Sequence, residues 1–182
     1  MKKSVILITS LLVVFLFTGC ANKVYDYSMS TDNILNLKSI AKNGQKINLG
    51  DFVDENNEST LMCRLATPVG TAKGSTFISY IKDAFKKELV VSDLLDTQAK
   101  TTIGMKLNDI YGSTVFGNAY WKFDVTVNSS NGEKMSIISR YDYESSYLAT
   151  SACSEMQRSF VPAVQKLIGE IVKNHKFKDL LK

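Results

Sequence analysis

The sequence predicts an α+β domain in two layers, a mainly antiparallel β-sheet with amphipathic helices packed on one face. Three observations lead there. Trp121, Phe123, Val125 and Val127 alternate with polar residues, and after Ser130-Asn131-Gly132 so do Met135, Ile137 and Tyr141. Cys153, Met156, Phe160, Val164, Leu167, Ile168 and Ile171 form a stripe at helical spacing, wide enough to cover a sheet. Upstream, the order strand, strand, helix, strand completes a pattern with strands and helices in one unit.

The elements follow in order. Ile47, Leu49 and Val53 predict a first strand, Asp54 to Ser59 a polar turn, and Leu61, Cys63 and Leu65 one face of a second strand. Pro68, Gly70 and Gly74 then break the strand pattern. Phe77, Tyr80, Ile81, Ala84, Phe85 and Leu89 recur at helical spacing, and Ser75 or Thr76 is placed to cap that helix by accepting a first-turn amide proton. From Thr101 to Asn108 the period returns to two, with Ile103, Met105 and Leu107 on one face, and a connection containing Gly and Ser leads to Tyr120. In the hairpin that follows, a three-residue loop with Gly132 at positive φ pairs Val127 with Met135, Val125 with Ile137 and Trp121 with Tyr141, placing these apolar residues on one sheet face. Pro162 inside the last helical stripe predicts a kink or a break just before it, and Phe177, Leu180 and Leu181 a final docked turn.

Composition narrows function by exclusion. The 182 residues are 45% hydrophobic and 22% charged, with two Pro and ten Gly, which describes a globular chain without low-complexity tracts. Twenty-two basic against 18 acidic residues give a net charge of +4, too slight to predict a nucleic-acid partner. One His leaves little room for a zinc site or a His-based nucleophile arrangement, so no metal and no cofactor are expected.

The amino terminus carries the clearest functional signal. Lys2-Lys3 precede an uncharged run from Ser4 to Phe17, followed by Thr18-Gly19-Cys20. That is the three-part layout of an export signal. As a helix the run spans about 21 Å, short of the roughly 30 Å hydrocarbon core. Gly19-Cys20 resembles the bacterial lipoprotein signal, which implies cleavage before Cys20 and acylation of that residue. Two or three acyl chains anchor stably where one does so marginally. Ala21, rather than Asp, implies the periplasmic face of the outer membrane. The expected organisation is a signal peptide over residues 1–19, a lipidated terminus and tether over 20–44, and a single periplasmic domain over 45–182. A wholly flexible tether of that length would reach about 25 Å, and one short helix is expected in it near Ile34 to Ile40.

Other motifs weigh little. Gly70 to Gly74 lacks the spacing of a phosphate loop and has Lys73 before the second glycine. Ser79 and Lys82 match the Ser-x-x-Lys of penicillin-recognising enzymes, yet the partner motifs Ser-Asp-Asn and Lys-Thr-Gly are missing, so no catalytic residue is expected. His175 among Lys173, Lys176 and Lys178 reads as a solvated face. With Cys20 acylated, Cys63 and Cys153 are an even pair in an oxidising compartment. They are either a disulfide closing a loop of about 90 residues or two buried thiols that never meet, and the sequence leaves both open. Trp121 is expected in the core. Tyr143, Glu144, Ser145, Ser146 and Tyr147 read as a recognition loop for an envelope protein partner.

Taken together, Cys20, Gly74-Ser-Thr-Phe77, Tyr120-Trp-Lys-Phe123, Tyr143-Glu-Ser-Ser146 and Phe160 to Ile171 resemble the small outer-membrane lipoproteins called YajG-like. The resemblance spans roughly residues 60–181 and implies an α/β sandwich in the cell envelope, with no catalytic signature. The expected function is a non-enzymatic accessory or assembly factor that binds another envelope component. The alternative is a module holding a lipid or glycan fragment between sheet and helices.

Overall fold

The structure is a computed structural model that describes residues 22–41 and 44–182. The signal segment and Cys20 lie outside the described residues. Among the described residues, two sheets and four helices make the α+β body. The larger sheet joins β2 (Asn48–Asp54), β5 (Thr102–Val115), β6 (Asn118–Ser129) and β7 (Lys134–Tyr143) in that order. Its pairings β5–β6 and β6–β7 are antiparallel, but β2 enters parallel to β5, so the sheet is mixed. The smaller sheet has the order β1 (Asn22–Lys23), β4 (Thr67–Gly70), β3 (Thr60–Cys63), antiparallel between β3 and β4 and parallel between β1 and β4.

The β6–β7 hairpin has the expected register: Val127 opposite Met135, Val125 opposite Ile137, Trp121 opposite Tyr141. The loop Ser130–Gly132 closes on a bond from Ser129 N–H to the Glu133 carbonyl, and Gly132 has φ 93°. Along β6 the odd-numbered residues from Ala119 to Ser129 are buried. Helix α2 (Phe77–Val91) starts at a capping box in which Thr76 Oγ1 accepts from Ser79 N–H and Ser79 Oγ accepts from Thr76 N–H. Helix α3 (Ala149–Lys173) lies over the sheet, and α4 (Phe177–Leu180) docks with Phe177 and Leu180 buried, as the sequence predicts.

Four expectations are corrected. The break before Pro162 is not made: α3 runs unbroken through it. The missing amide is tolerated because Phe160, Val161, Ala163 and Val164 around it are buried, and burial of large apolar side chains at about 1.5–3 kcal/mol each outweighs one lost bond. The connection before Tyr120 is mostly strand, since β5 continues to Val115. A register shift between Leu107 and Asp109 moves the buried set from odd positions to Ile110, which hides the continuation from a period-two reading. Gly112 then lies opposite Trp121 where any Cβ would meet Met156 Cε at 2.4 Å, so α3 can lie close over the strand. Pro68 and Gly70 do not break a strand but form β4. Leu65 leaves the apolar face of β3 for the turn that follows.

The fourth correction concerns the tether. Residues 22–41 are part of the body. Val24 N–H donates to the Gly70 carbonyl at 2.7 Å, the Tyr80 hydroxyl to the Tyr25 carbonyl at 2.8 Å, and Gln165 Nε2 to the Ser28 carbonyl at 2.7 Å. Val24, Tyr27, Leu37 and Ile40 are buried, the last two on α1 (Thr31–Ala41). Glu88, fully buried on α2, holds this segment: its Oε1 accepts from the Tyr27 hydroxyl at 2.5 Å and from Ser30 N–H at 2.9 Å, while its Oε2 has no partner. Tyr27 is pushed up by burial and by this neighbouring carboxylate.

Burial likewise raises the Glu88 carboxyl above its ordinary value, against hydrogen bonds from Tyr27, Ser30 and Asn33 that lower it. A folded-state value above the unfolded one means that Glu88 contributes fully below the ordinary glutamate range, and that its contribution is lost as pH rises through the raised value. Glu88→Gln keeps the Oε1 acceptor and removes the charge. It is expected to leave the thermal midpoint in acid nearly unchanged and to stabilise the protein at neutral pH by on the order of 1 kcal/mol. Thermal melts across pH check this; a parallel drop at every pH would contradict it.

Candidate functional site

At one end of the larger sheet, three turns come together: β3–β4, β5–β6 and β7–α3. The first is Arg64-Leu65-Ala66, closed by Ala66 N–H donating to the Cys63 carbonyl at 3.1 Å. Arg64 and Leu65 have φ 51° and 55°, a region that hairpin turns usually give to Gly or Asn because Cβ crowds the backbone there. Such residues cost of order 1–3 kcal/mol each and persist only where their surroundings hold them.

The surroundings are plain. Cys63 is bonded to Cys153 on α3, with the Cα atoms 5.7 Å apart, so the disulfide alternative left open by the sequence is the one formed. On the other side of the turn, Thr67 begins β4 opposite Cys63. Between them the Arg64 guanidinium reaches across to both neighbouring turns: Nη2 donates to the Thr114 carbonyl at 2.7 Å and to the Ser146 carbonyl at 2.9 Å, and Nε to Thr114 Oγ1 at 3.2 Å. One planar fork thus ties the three loops.

The predicted recognition loop divides on this frame. Tyr143 is half-buried, its hydroxyl donating to the Ser113 carbonyl at 2.8 Å, and burial pushes that phenol up. Ser145 Oγ donates to the Thr114 carbonyl at 3.1 Å, and Ser146 offers its carbonyl to Arg64 and its Oγ to Leu148 N–H. These three are braces. Glu144 and Tyr147 face solvent, and the Tyr147 ring stacks on Phe116 with centroids 3.8 Å apart and planes at 22°.

Apolar residues that a sequence reading misses surround them. Among the described residues the three most exposed large apolar side chains are Leu65 at 92%, Tyr147 at 76% and Leu148 at 69%, all on this tip beside Val115 and Phe116. Arg64 and Leu65 escaped notice because alternation assigned Leu65 to a strand. Phe116 and Val115 were hidden behind the β5 register shift. The Phe116-Gly117 pair at a tight turn was the available signal.

The other candidates stand apart. Ser79 Oγ is engaged in the α2 cap, while Lys82 Nζ donates to the Gly50 carbonyl at 3.1 Å and lies over the Phe52 ring. His175 is exposed. Trp121 is fully buried, with Nε1 donating to Ser159 Oγ at 3.0 Å and to the Met156 carbonyl at 3.2 Å. With Phe77, Phe123 and Phe160 it fills the space between sheet and helices. A cavity of about 350 Å³ lies instead at the surface, lined by Ile40, Gln45, Leu181 and Lys182. No helix among the described residues is long and apolar enough to cross a membrane. The chain matches no family model and no curated protein.

Two outcomes test the frame. Arg64→Ala leaves the Ser146 carbonyl without its donor and is expected to destabilise by about 1 kcal/mol while accelerating amide exchange at residues 146–148. Urea melts combined with hydrogen exchange read this; unchanged exchange there would count against the fork. Reducing the Cys63–Cys153 bond frees a loop with a sequence separation of 90 residues, which is worth on the order of 4 to 5 kcal/mol by chain entropy. The urea midpoint should fall accordingly in dithiothreitol and stay fixed in a Cys63→Ala, Cys153→Ala double variant.

Proposed function

We propose that this chain is a lipid-anchored lipoprotein of the outer membrane's periplasmic face, a non-enzymatic accessory or assembly factor that engages another envelope component through the tip around Arg64. The observation that carries the reading is the tip itself. Leu65, Tyr147 and Leu148 are exposed on loops fixed by a disulfide, a guanidinium fork and a ring stack. A soluble body gains nothing from exposed apolar side chains on such rigid supports, and contiguous patches of this kind mark interaction surfaces. Tyr147 belongs to the loop that the sequence singles out for recognition.

Two further features support the envelope location. The lipoprotein-like Gly19-Cys20 supplies the anchor. The Cys63–Cys153 bond is of a kind that persists in oxidising compartments such as the bacterial periplasm. The likeness of the motifs to YajG-like lipoproteins agrees with the same address.

In vivo photo-crosslinking tests the reading. A photoreactive residue at Tyr147 is expected to give a discrete adduct with an envelope component, and the same residue at Lys100 is expected to give none; palmitate should label the protein through Cys20. Equal adducts at both positions would reject the role of the tip, and a protein that takes up no palmitate would reject the anchor.

A further inference from the structure

We infer that the component met by the tip is the surface of the bilayer that anchors the chain: Leu65, Phe116, Tyr147 and Leu148 seat in the headgroup layer and fix the orientation of the body. The inference rests on the proposed acylation of Cys20 and adds where the acyl chains leave the fold.

The argument is one of direction. β1 runs parallel to β4, with Asn22 opposite Val69 and Lys23 opposite Gly70. β4 leads away from the Arg64-Leu65-Ala66 turn, so Asn22 is the end of β1 nearer to that turn. Cys20 precedes Asn22 by two residues, and connectivity alone keeps their Cα atoms within about 7.6 Å. Along β4, Val69 is about 7 Å beyond Thr67, where the turn ends. Asn22, which follows Cys20 by two residues, thus stands toward the end of the fold that carries the apolar tip, not toward the opposite end where β5 begins.

β1 is firmly placed. The Lys23 carbonyl accepts from Gln157 on α3, and Val24 N–H donates to the Gly70 carbonyl at 2.7 Å, so the anchor joins a fixed point of the fold. A bilayer holding acyl chains at that point meets whatever projects beside it. What projects is Leu65, the most exposed large apolar side chain among the described residues, with Leu148 and the stacked Phe116–Tyr147 pair. The composition suits a headgroup layer. Aliphatic tips favour its apolar side, an aromatic ring with a hydroxyl favours its boundary, and the Arg64 cation stands beside them with the exposed Glu144 at the rim.

The test uses the full-length acylated protein in vesicles of phosphatidylethanolamine and phosphatidylglycerol, part of the lipid brominated along its acyl chains. Leu65→Trp and Leu148→Trp place an indole at the tip; Lys100→Trp places one at the opposite end, where Ser130 Oγ donates to the Lys100 carbonyl. All three sites are exposed, and buried Trp121 gives a common background. Bromolipid is expected to quench the added emission at 65 and 148 at least roughly twofold more than at 100, as for a group about 5–10 Å into the headgroup–acyl boundary. Equal quenching at all three positions, with the acyl chains on Cys20 verified by mass, would overturn the docking and leave the anchor standing. Mass showing no acyl group on Cys20 would overturn both. Protection of positions 65 and 148 by a crosslinked envelope protein, without quenching, would overturn the lipid assignment and give the tip to that protein.

Discussion

The packing of α3 across the larger sheet is the constraint on which the other features depend. Phe160 lies 4.9 Å from Trp121 and 5.3 Å from Phe77, centroid to centroid, which locks the helix to β6 and α2 at once. Trp121 adds a directional bond, since its indole N–H finds an oxygen on α3 and on no other element. Edge-to-face aromatic contacts of this kind add about 0.5–1.5 kcal/mol beyond the area they bury, and they fix rotation as well as distance. With the helix placed to this tolerance, Cys153 on its first turns reaches Cys63, Gln157 reaches β1, and Gln165 reaches the segment before α1. At 25 residues the helix is about 37 Å long and touches both ends of the molecule.

The tip is where the fold accepts local disfavour. Two successive non-glycine residues at positive φ, and apolar side chains left in water, both oppose stability, yet the turn that carries Arg64 and Leu65 is held by contacts that reach outside it. The disulfide fixes one side of the β3–β4 turn and Arg64 ties its apex to β5 and to the loop before α3. Asn-Gly in place of Arg64-Leu65 would satisfy the turn with less strain and would delete both the fork and the most exposed side chain. That the chain carries Arg-Leu is consistent with a surface whose shape matters more than the ease of its turn.

What the sequence reveals depends on whether the determining contacts are local. The β6–β7 register follows from alternation and one glycine, and the α2 cap from a hydroxyl at the right offset, so both are legible. The β5 register shift is different: a single extra residue reverses which positions are buried, and period-two reading stops there. The segment around α1 is opaque for a further reason. One of its three buried positions on α1 is the polar Asn33, and its tie to Glu88 spans 61 residues from Tyr27 in sequence. The disulfide was visible as a pair of apolar-stripe cysteines, but only the position of α3 decides that they meet. The sequence reads Tyr143 to Tyr147 as one recognition loop and does not distinguish the exposed Glu144 and Tyr147 from the other three, while Arg64, Leu65 and Phe116 belong to turns that alternation assigns to a strand and a connection.

The docked amino-terminal segment changes what an anchor at Cys20 does. A flexible tether of twenty-odd residues would let the body sample all orientations over a sphere of about 25 Å, so any one face would meet the membrane rarely. Here Cys20 stands only two residues before β1 in the sequence, and the hydrogen bonds of Lys23, Val24 and Tyr25 tie the chain that follows it to the small sheet, α3 and α2. A short link gives the nearest surface a high effective concentration at the bilayer and gives distant surfaces almost none. With acyl chains on Cys20, as proposed, modest apolar contacts at the tip would suffice to set orientation, because the chains would already supply the affinity. In that proposed orientation the start of β5 and the β6–β7 loop would face the aqueous side. Glu88 is central to this arrangement: by holding Tyr27 and Ser30 against α2 it turns what reads as a leash into a rigid strut.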